Sequence, residues 1–252
     1  MLSKAEIKKV RSLALKKFRR QYGLFCAEGE KIVNELIVSG WQTEVIFATE
    51  DWSGLNDNVS SGLDIRIISH KELGQISSLT TPNKALALVR IPHRDTILID
   101  TNNKFVLALD NIQDPGNLGA IIRTADWFGV DQIVCSHDTA DVYNPKVIQA
   151  TMGSFARVQL YYCNLVEYLD SLPQGYPLLG AMLHGDNVFK TEPPKAGILV
   201  LGNESKGISA IVEERISHKL CIPMYNEDLR NQKPESLNVA IAAGILLGWL
   251  RC

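Results

Sequence analysis

Apolar residues along the chain fall into two groupings: short unbroken runs of strand length, and residues that recur every three or four positions. Leu24–Ala27, Val45–Ala48, Ile65–Ile68 and Ala85–Ile91 are runs of the first kind and predict strands. Between them Glu28–Ser39 carries Ile32, Val33, Leu36 and Ile37 on one helical face and ends at Gly40. Residues 3–20 predict a further helix, and Lys71–Ile76 a short one. Such alternation predicts a small α/β domain over residues 1–95. Pro92–Lys104 is polar and weakly patterned, which places a domain boundary there.

Beyond the boundary, Phe105–Leu109 is apolar without alternation, the pattern of a strand covered on both faces of a parallel sheet. Asp110–Asn117 then clusters Asp, Asn, Pro and Gly as a loop at the carboxyl end of that strand, where ligands gather in open α/β sheets. Leu118, Ile121, Ile122 and Ala125 continue at helical spacing, with Asn117 able to cap the helix and Gly129 to stop it. Gln132–Cys135, Val158–Tyr162, Leu178–Met182, Ile198–Leu201 and Lys219–Ile222 predict strands, and Asn144–Ala150 a helix with Pro145 at its first position. The final helix is expected over Ser236–Arg251. It is apolar nearly all round, so it needs cover both from the sheet and from a partner subunit. The expected whole is α/β: a small domain followed, over 104–252, by a mostly parallel sheet with helices on both faces.

Composition narrows the function classes. The 252 residues are 46% hydrophobic with a net charge of -2, so a nucleic-acid surface must be local. Residues 4–20 qualify, with Lys16, Lys17, Arg19 and Arg20 at their end, although a solvated amphipathic helix has the same composition. Five cysteines without a CxxC pair predict reduced thiols in a cytoplasm, and no metal cluster is suggested. The longest apolar run, Val239–Leu247, is too short to span a bilayer, and no leader pattern opens the chain; neither secretion nor membrane insertion is expected. The GxGxxG and P-loop signatures are absent. Arg123 stands out because it lies one to two turns into the helix that follows the polar loop. A solvated helix arginine is the plain alternative to an anion-binding role.

Three segments together carry a resemblance: NIQDPGNLGAIIRTA (111–125), LVLGNESKGIS (199–209), and CIPM (221–224) with SLNVAIAAGI (236–245). In this order and spacing they resemble the TrmH-like (SpoU) branch of the SPOUT superfamily of RNA ribose 2'-O-methyltransferases. Asn144, Pro145 and Lys146, with LFCAEGEKIVNEL and LTTPNKALALV upstream, extend the similarity over most of the chain. The resemblance implies a deep trefoil knot in the second domain, a homodimer, an RNA substrate bound by the first domain, and S-adenosylmethionine as methyl donor. It favours ribosomal over transfer RNA. A non-catalytic RNA-binding or ribosome-assembly protein on the same fold is the alternative.

The same resemblance assigns roles by position. Arg123 acts on the 2'-OH, Asn117 arranges the loop and the substrate phosphate, and Glu204 orients substrate or arginine. Ser236 and Asn238 open the last helix, where a cap would look the same. Ala181, Met182, Leu201, Gly202, Ile222, Met224 and Leu237 are the implied cofactor contacts, though Leu201 and Ile222 would also serve as strand core and Met182 and Met224 as gap-fillers. The chain departs from the family in a longer link between Ile222 and Ser236, PMYNEDLRNQKPE.

Overall fold

The computed structural model describes residues 1–53, 62–92, 104–225 and 235–251. In chain order its elements are α1 (Lys4–Ser12), α2 (Lys16–Tyr22), β1 (Leu24–Glu28), α3 (Glu30–Val38), β2 (Thr43–Ala48), β3 (Ile65–Ile67), α4 (His70–Ile76), β4 (Ala85–Arg90), β5 (Phe105–Asp110), α5 (Pro115–Trp127) and β6 (Gln132–Ser136). They continue as α6 (Pro145–Thr151), β7 (Gln159–Cys163), α7 (Leu165–Asp170), β8 (Leu178–Asn187), β9 (Gly197–Gly202), α8 (Ala210–Glu213), β10 (His218–Cys221) and α9 (Val239–Arg251). The polar stretch before β3, most of the expected boundary at 92–104 and most of the long link at 223–235 lie outside the described residues, and with that link goes the test of the knot.

The chain divides into two compact units, one of Met1–Arg94 with Asp141–Arg157, the other of Asp95–Ala140 with Val158–Cys252. The inclusion of 141–157 in the first unit departs from a division by sequence position alone. Its cause is aromatic packing: Phe25 on β1 meets Tyr143 at 4.7 Å and Phe155 at 5.9 Å, and Trp41 sits 5.5 Å from Phe155 and donates to the Ala156 carbonyl. The first unit's sheet runs β1-β4-β2-β3. Capping boxes at Ser3/Glu6 and Ser69/Glu72 start α1 and α4.

Residues 3–20 are two helices, not one. Leu13 is fully buried, and the chain turns there to bury it. Arg19 corrects a second expectation. It is 3% exposed, so it is not an RNA contact; its guanidinium donates to the Leu13 and Ala14 carbonyls left over at the break and to the Asp141 carboxylate at 2.7 Å. Lys16, Lys17 and Arg20 are exposed on the same helix. Arg19→Ala would strip the half-buried Asp141 carboxylate of its buried cation and leave the Leu13 and Ala14 carbonyls without their donor, and an expected loss of about 3 kcal/mol in urea unfolding follows. A loss below about 1 kcal/mol, the range of exposed pairs, would refute that role.

The second unit holds an all-parallel sheet in the order β10-β8-β9-β5-β6-β7. Every residue of β5 is buried, as its unalternated run predicts. The final helix buries Val239, Ala243, Leu246, Leu247 and Leu250, packs on α5, and leaves Ile241 exposed. Among the described residues no helix is long and apolar enough to cross a membrane. Cys26, Cys135 and Cys163 are free thiols, and burial pushes those of Cys26 and Cys135 well up, which keeps them unreactive.

Candidate active site

The chain leaves β5 toward β6 and β7 on one side and returns to β8 and β9 on the other, so strand order reverses between β5 and β9. Crevices open at such a point, beyond the carboxyl ends of the strands. There Asp110 on β5 pairs in register with Gly202 on β9. After Gly202 the chain makes a closed turn in which Asn203 and Gly207 exchange two backbone hydrogen bonds of 2.9 Å. A Cβ at Gly202 would stand 2.2 Å from Gly207 C and Ile208 N, so glycine is what lets the turn fold back on the strand.

The turn presents Glu204 to the start of α5. Asn117 Nδ2 donates to Glu204 Oε1 at 2.9 Å, and Asn238 Nδ2 donates to Asn117 Oδ1 at 2.8 Å. Asn238 Oδ1 in turn accepts the backbone N–H groups of Ala240 and Ile241. A carboxylate only accepts and a backbone N–H only donates, so both amide orientations are fixed from the two ends of the chain. Three segments remote in sequence meet in one polar line, and the positive end of the α5 dipole favours the carboxylate there.

Two expected caps change hands. Asp114, not Asn117, caps α5: its Oδ1 accepts the Asn117 N–H at 2.8 Å, with Pro115 in the first position. The Asn117 side chain is thereby released to bridge Glu204 and Asn238. The last helix begins at Val239, not Ser236, because Asn238 takes its first N–H groups; Ser236 has no hydrogen-bond partner among the described residues. Glu204 caps no helix: Ser209 precedes α8, and Glu204 bonds to Asn117.

Arg123 stands apart from this line. It is exposed on the stripe of α5 that runs Gly116, Ala120, Arg123, Trp127, and it has no partner among the described residues. An arginine with five unused donors, beside a residue as small as Ala120 and two turns from the polar loop, is available to an external anion or oxyanion.

The expected cofactor contacts lie along the carboxyl edge of β8, β9 and β10. The β8–β10 register jumps from Gly180 to Asp186, so 181–185 arch out of the ladder, and Ala181 and Met182 are half-buried in the arch. The arch closes on Gly185, whose Cβ would stand 2.4 Å from the Lys219 carbonyl oxygen. Leu201 is buried, Ile222 and Met224 are half-buried just past β10, and Leu237 is 50% exposed. Backbone released from a ladder beside apolar side chains suits an adenine ring, which needs a slot and a few donors and acceptors.

Asp110 and Asn203 are missing from the sequence-derived set, and both hold the turn. Asp110, 7% exposed, accepts the Ser209 N–H at 2.7 Å. Asn203 Nδ2 donates to the Asn111 carbonyl at 2.8 Å, while its Oδ1 accepts from Ser205 N–H and Oγ–H and from Lys206 N–H. Asn111 itself sits at φ 62, a backbone conformation that asparagine tolerates. An acid ending an apolar strand was the available signal for Asp110. Asn203→Ala is expected to lower kcat for the site's reaction by about tenfold or more while KM for the substrate stays within about twofold, since Glu204 loses its fixed register. A raised KM with kcat unchanged would mark it as a binding residue instead.

The chain is similar to known proteins over its whole length. Residues 104–248 match the model of the SpoU rRNA methylase family, and residues 4–87 match that of the MRM3-like substrate binding domain. The 23S rRNA (guanosine(2553)-2'-O)-methyltransferase RlmP of Bacillus subtilis is 32% identical over 98% of this chain and 96% of its own length. Two solved structures superpose on the whole chain. One, from Porphyromonas gingivalis, is described as an RNA methyltransferase of the TrmH family, with a TM-score of 0.88 at 35% identity over 98% of its length. The other is the AdoMet-bound rRNA methyltransferase of Sinorhizobium meliloti, with a TM-score of 0.86 at 26% identity over 96% of its length.

Proposed function

This chain belongs to the SpoU rRNA methylase family, and from that premise we propose that it transfers a methyl group from S-adenosylmethionine to the ribose 2'-OH of a nucleotide in ribosomal RNA. The observation that carries the reading is the Glu204–Asn117–Asn238 line at the sheet's switch point, with Arg123, without a partner among the described residues, on the same helix as Asn117. S-adenosylmethionine supplies an electrophilic methyl on a sulfonium, and the sulfur leaves neutral as the ribose oxygen takes the methyl. Ala181, Met182, Leu201, Gly202, Ile222, Met224 and Leu237 would hold it, mainly through backbone groups and shape.

The remaining work falls to side chains of this chain. A ribose hydroxyl is a poor nucleophile, so its oxygen must be fixed in line with the methyl and its developing charge met as the proton leaves. A guanidinium offers only N–H donors and no acceptor, so Arg123 acts as donor to that oxygen and the neighbouring phosphate. Water or the phosphate accepts the proton. Glu204 and Asn238 hold the Asn117 amide, and Asn117 with Ser236 addresses the substrate around it. The test is transfer of labelled methyl from S-adenosylmethionine to ribosomal RNA, with the site mapped as a 2'-O-methyl nucleotide. Label on a base instead of a ribose would overturn the reading.

Residence in a cytoplasm and a homodimer complete it, together with the trefoil knot implied by the resemblance. Support for the dimer comes from Trp127, 84% exposed on α5, and the exposed Ile241 on α9. Sedimentation giving only a 27.9 kDa species at micromolar concentration would count against it. Exposed Lys16, Lys17 and Arg20 are the proposed phosphate contacts on the first unit.

A further inference from the structure

The α2 helix, KKFRRQY, contains no acidic residue, and with Arg19 turned inward its remaining cations Lys16, Lys17 and Arg20 all face solvent. Neither Lys16 nor Arg20 has an ion-pair partner among the described residues. The helix also carries something a purely solvated basic face does not need. Phe18 and Tyr22, one turn apart, are stacked with centroids 6.3 Å apart and planes 16° from parallel. Lys17 Nζ lies 4.8 Å from the centre of the Phe18 ring, and Lys9 Nζ lies 5.6 Å from that of Tyr22. Tyr22 is 39% exposed, and Leu15, the N-cap residue two helical turns back, is 55% exposed.

Cation, ring, ring and cation therefore follow one another across this surface. Lys9 is tied to Glu44 at 2.7 Å, whereas Lys17 has no ion-pair partner among the described residues and lies over the Phe18 ring. A nucleobase can take the place of the Lys17 ammonium on that ring while the ammonium swings to the phosphate of the same nucleotide. A duplex offers phosphates but hides its base faces, so only an unpaired nucleotide satisfies rings and cations together.

We propose that Phe18 and Tyr22 of α2 form a stacking platform for an unpaired nucleotide of the RNA substrate, with Lys16, Lys17 and Arg20 on its flanking phosphates. The proposal rests on the reading that RNA is the substrate, and it adds that the first unit engages a loop or bulge of it, not a continuous helix.

The test uses the full chain and two synthetic probes of equal length, a hairpin with an unpaired loop and a blunt RNA duplex, with affinity read by fluorescence anisotropy over a salt series. Phe18→Leu and Tyr22→Leu are each expected to weaken hairpin binding by about tenfold, leave the duplex within about twofold, and leave the salt slope unchanged. Phe18→Tyr should keep the hairpin affinity because the ring remains. Lys16→Gln and Lys17→Gln should weaken both probes and lower the salt slope by about one per charge removed. Equal losses on hairpin and duplex, or no loss on either, would overturn the platform. Unfolding midpoints of the variants separate a folding defect from a binding one, and the exposed Tyr22→Leu keeps the proposal testable should Phe18→Leu unfold. Methyl transfer by the unaltered protein is scored separately, so failure of the catalytic reading would leave the hairpin preference to stand or fall by itself.

Discussion

Arg123→Ala is expected to abolish methyl transfer to RNA while affinity for S-adenosylmethionine stays within a few-fold of the unaltered protein. The expectation follows from position. Arg123 is exposed on α5, has no partner among the described residues, and is not among the backbone-lined positions along the edge of β8, β9 and β10. Its removal therefore breaks no hydrogen bond or ion pair among the described residues, and folding should be unaffected. Loss of one preorganised oxyanion donor typically lowers kcat by about 10²–10³, and loss of phosphate positioning deepens the effect. Arg123→Lys should recover only part, because an ammonium is a point charge and cannot bridge two oxygens in one plane. Single-turnover transfer of labelled methyl, with calorimetry for the cofactor, reads both quantities. Normal methylation by the alanine variant would sink the mechanism; loss of cofactor heat would move Arg123 to the cofactor site.

Gly202→Ala is the second large effect, and it arises in the opposite way, from space instead of charge. The added Cβ would lie 2.2 Å from two backbone atoms and 2.5 Å from the Gly207 oxygen, none of which is a flexible side chain. The turn from Asn203 to Gly207 must open, which breaks its paired 2.9 Å backbone bonds and displaces Glu204 from Asn117. We expect loss of detectable S-adenosylmethionine binding, and destabilisation of at least about 1–3 kcal/mol, the usual cost of overpacking. Gly180→Ala is the internal control. Its Cβ would meet an Ile216 side-chain carbon at 2.9 Å, and that side chain can shift, so its effect should be smaller. Wild-type cofactor affinity in Gly202→Ala would show that the turn does not shape the site.

Much of this was readable along the chain because period and punctuation are local. The unbroken apolar run of β5, the helical spacing of Leu118, Ile121, Ile122 and Ala125, and the stop at Gly129 all describe contacts within a few residues. Three separated motifs indicated the family, and the family model and the relatives agree. Ends of elements were less legible. Asp114 and Asn117 both suit a cap, and only the competition with Pro115 at the first position and Glu204 across the crevice decided between them. Asn238 over Ser236 is the same kind of choice.

What the sequence determined by itself is therefore the order of the strands and the α/β class, while Asn117, Arg123, Glu204, Ser236 and Asn238 were grouped by the resemblance. What only the tertiary structure decided is which partner each polar group takes. The basic run at residues 4–20 looks uniform in sequence, yet Arg19 is buried on Asp141, 122 residues away, while Lys16, Lys17 and Arg20 face solvent. Asp110 and Asn203 gain their importance from a strand pairing of β5 with β9 that no local pattern encodes. The physical reason is common to all of them. Hydrophobic period is set by neighbours along the chain, whereas a charge or an amide is placed by whatever donor or acceptor the fold brings within about 3 Å of it.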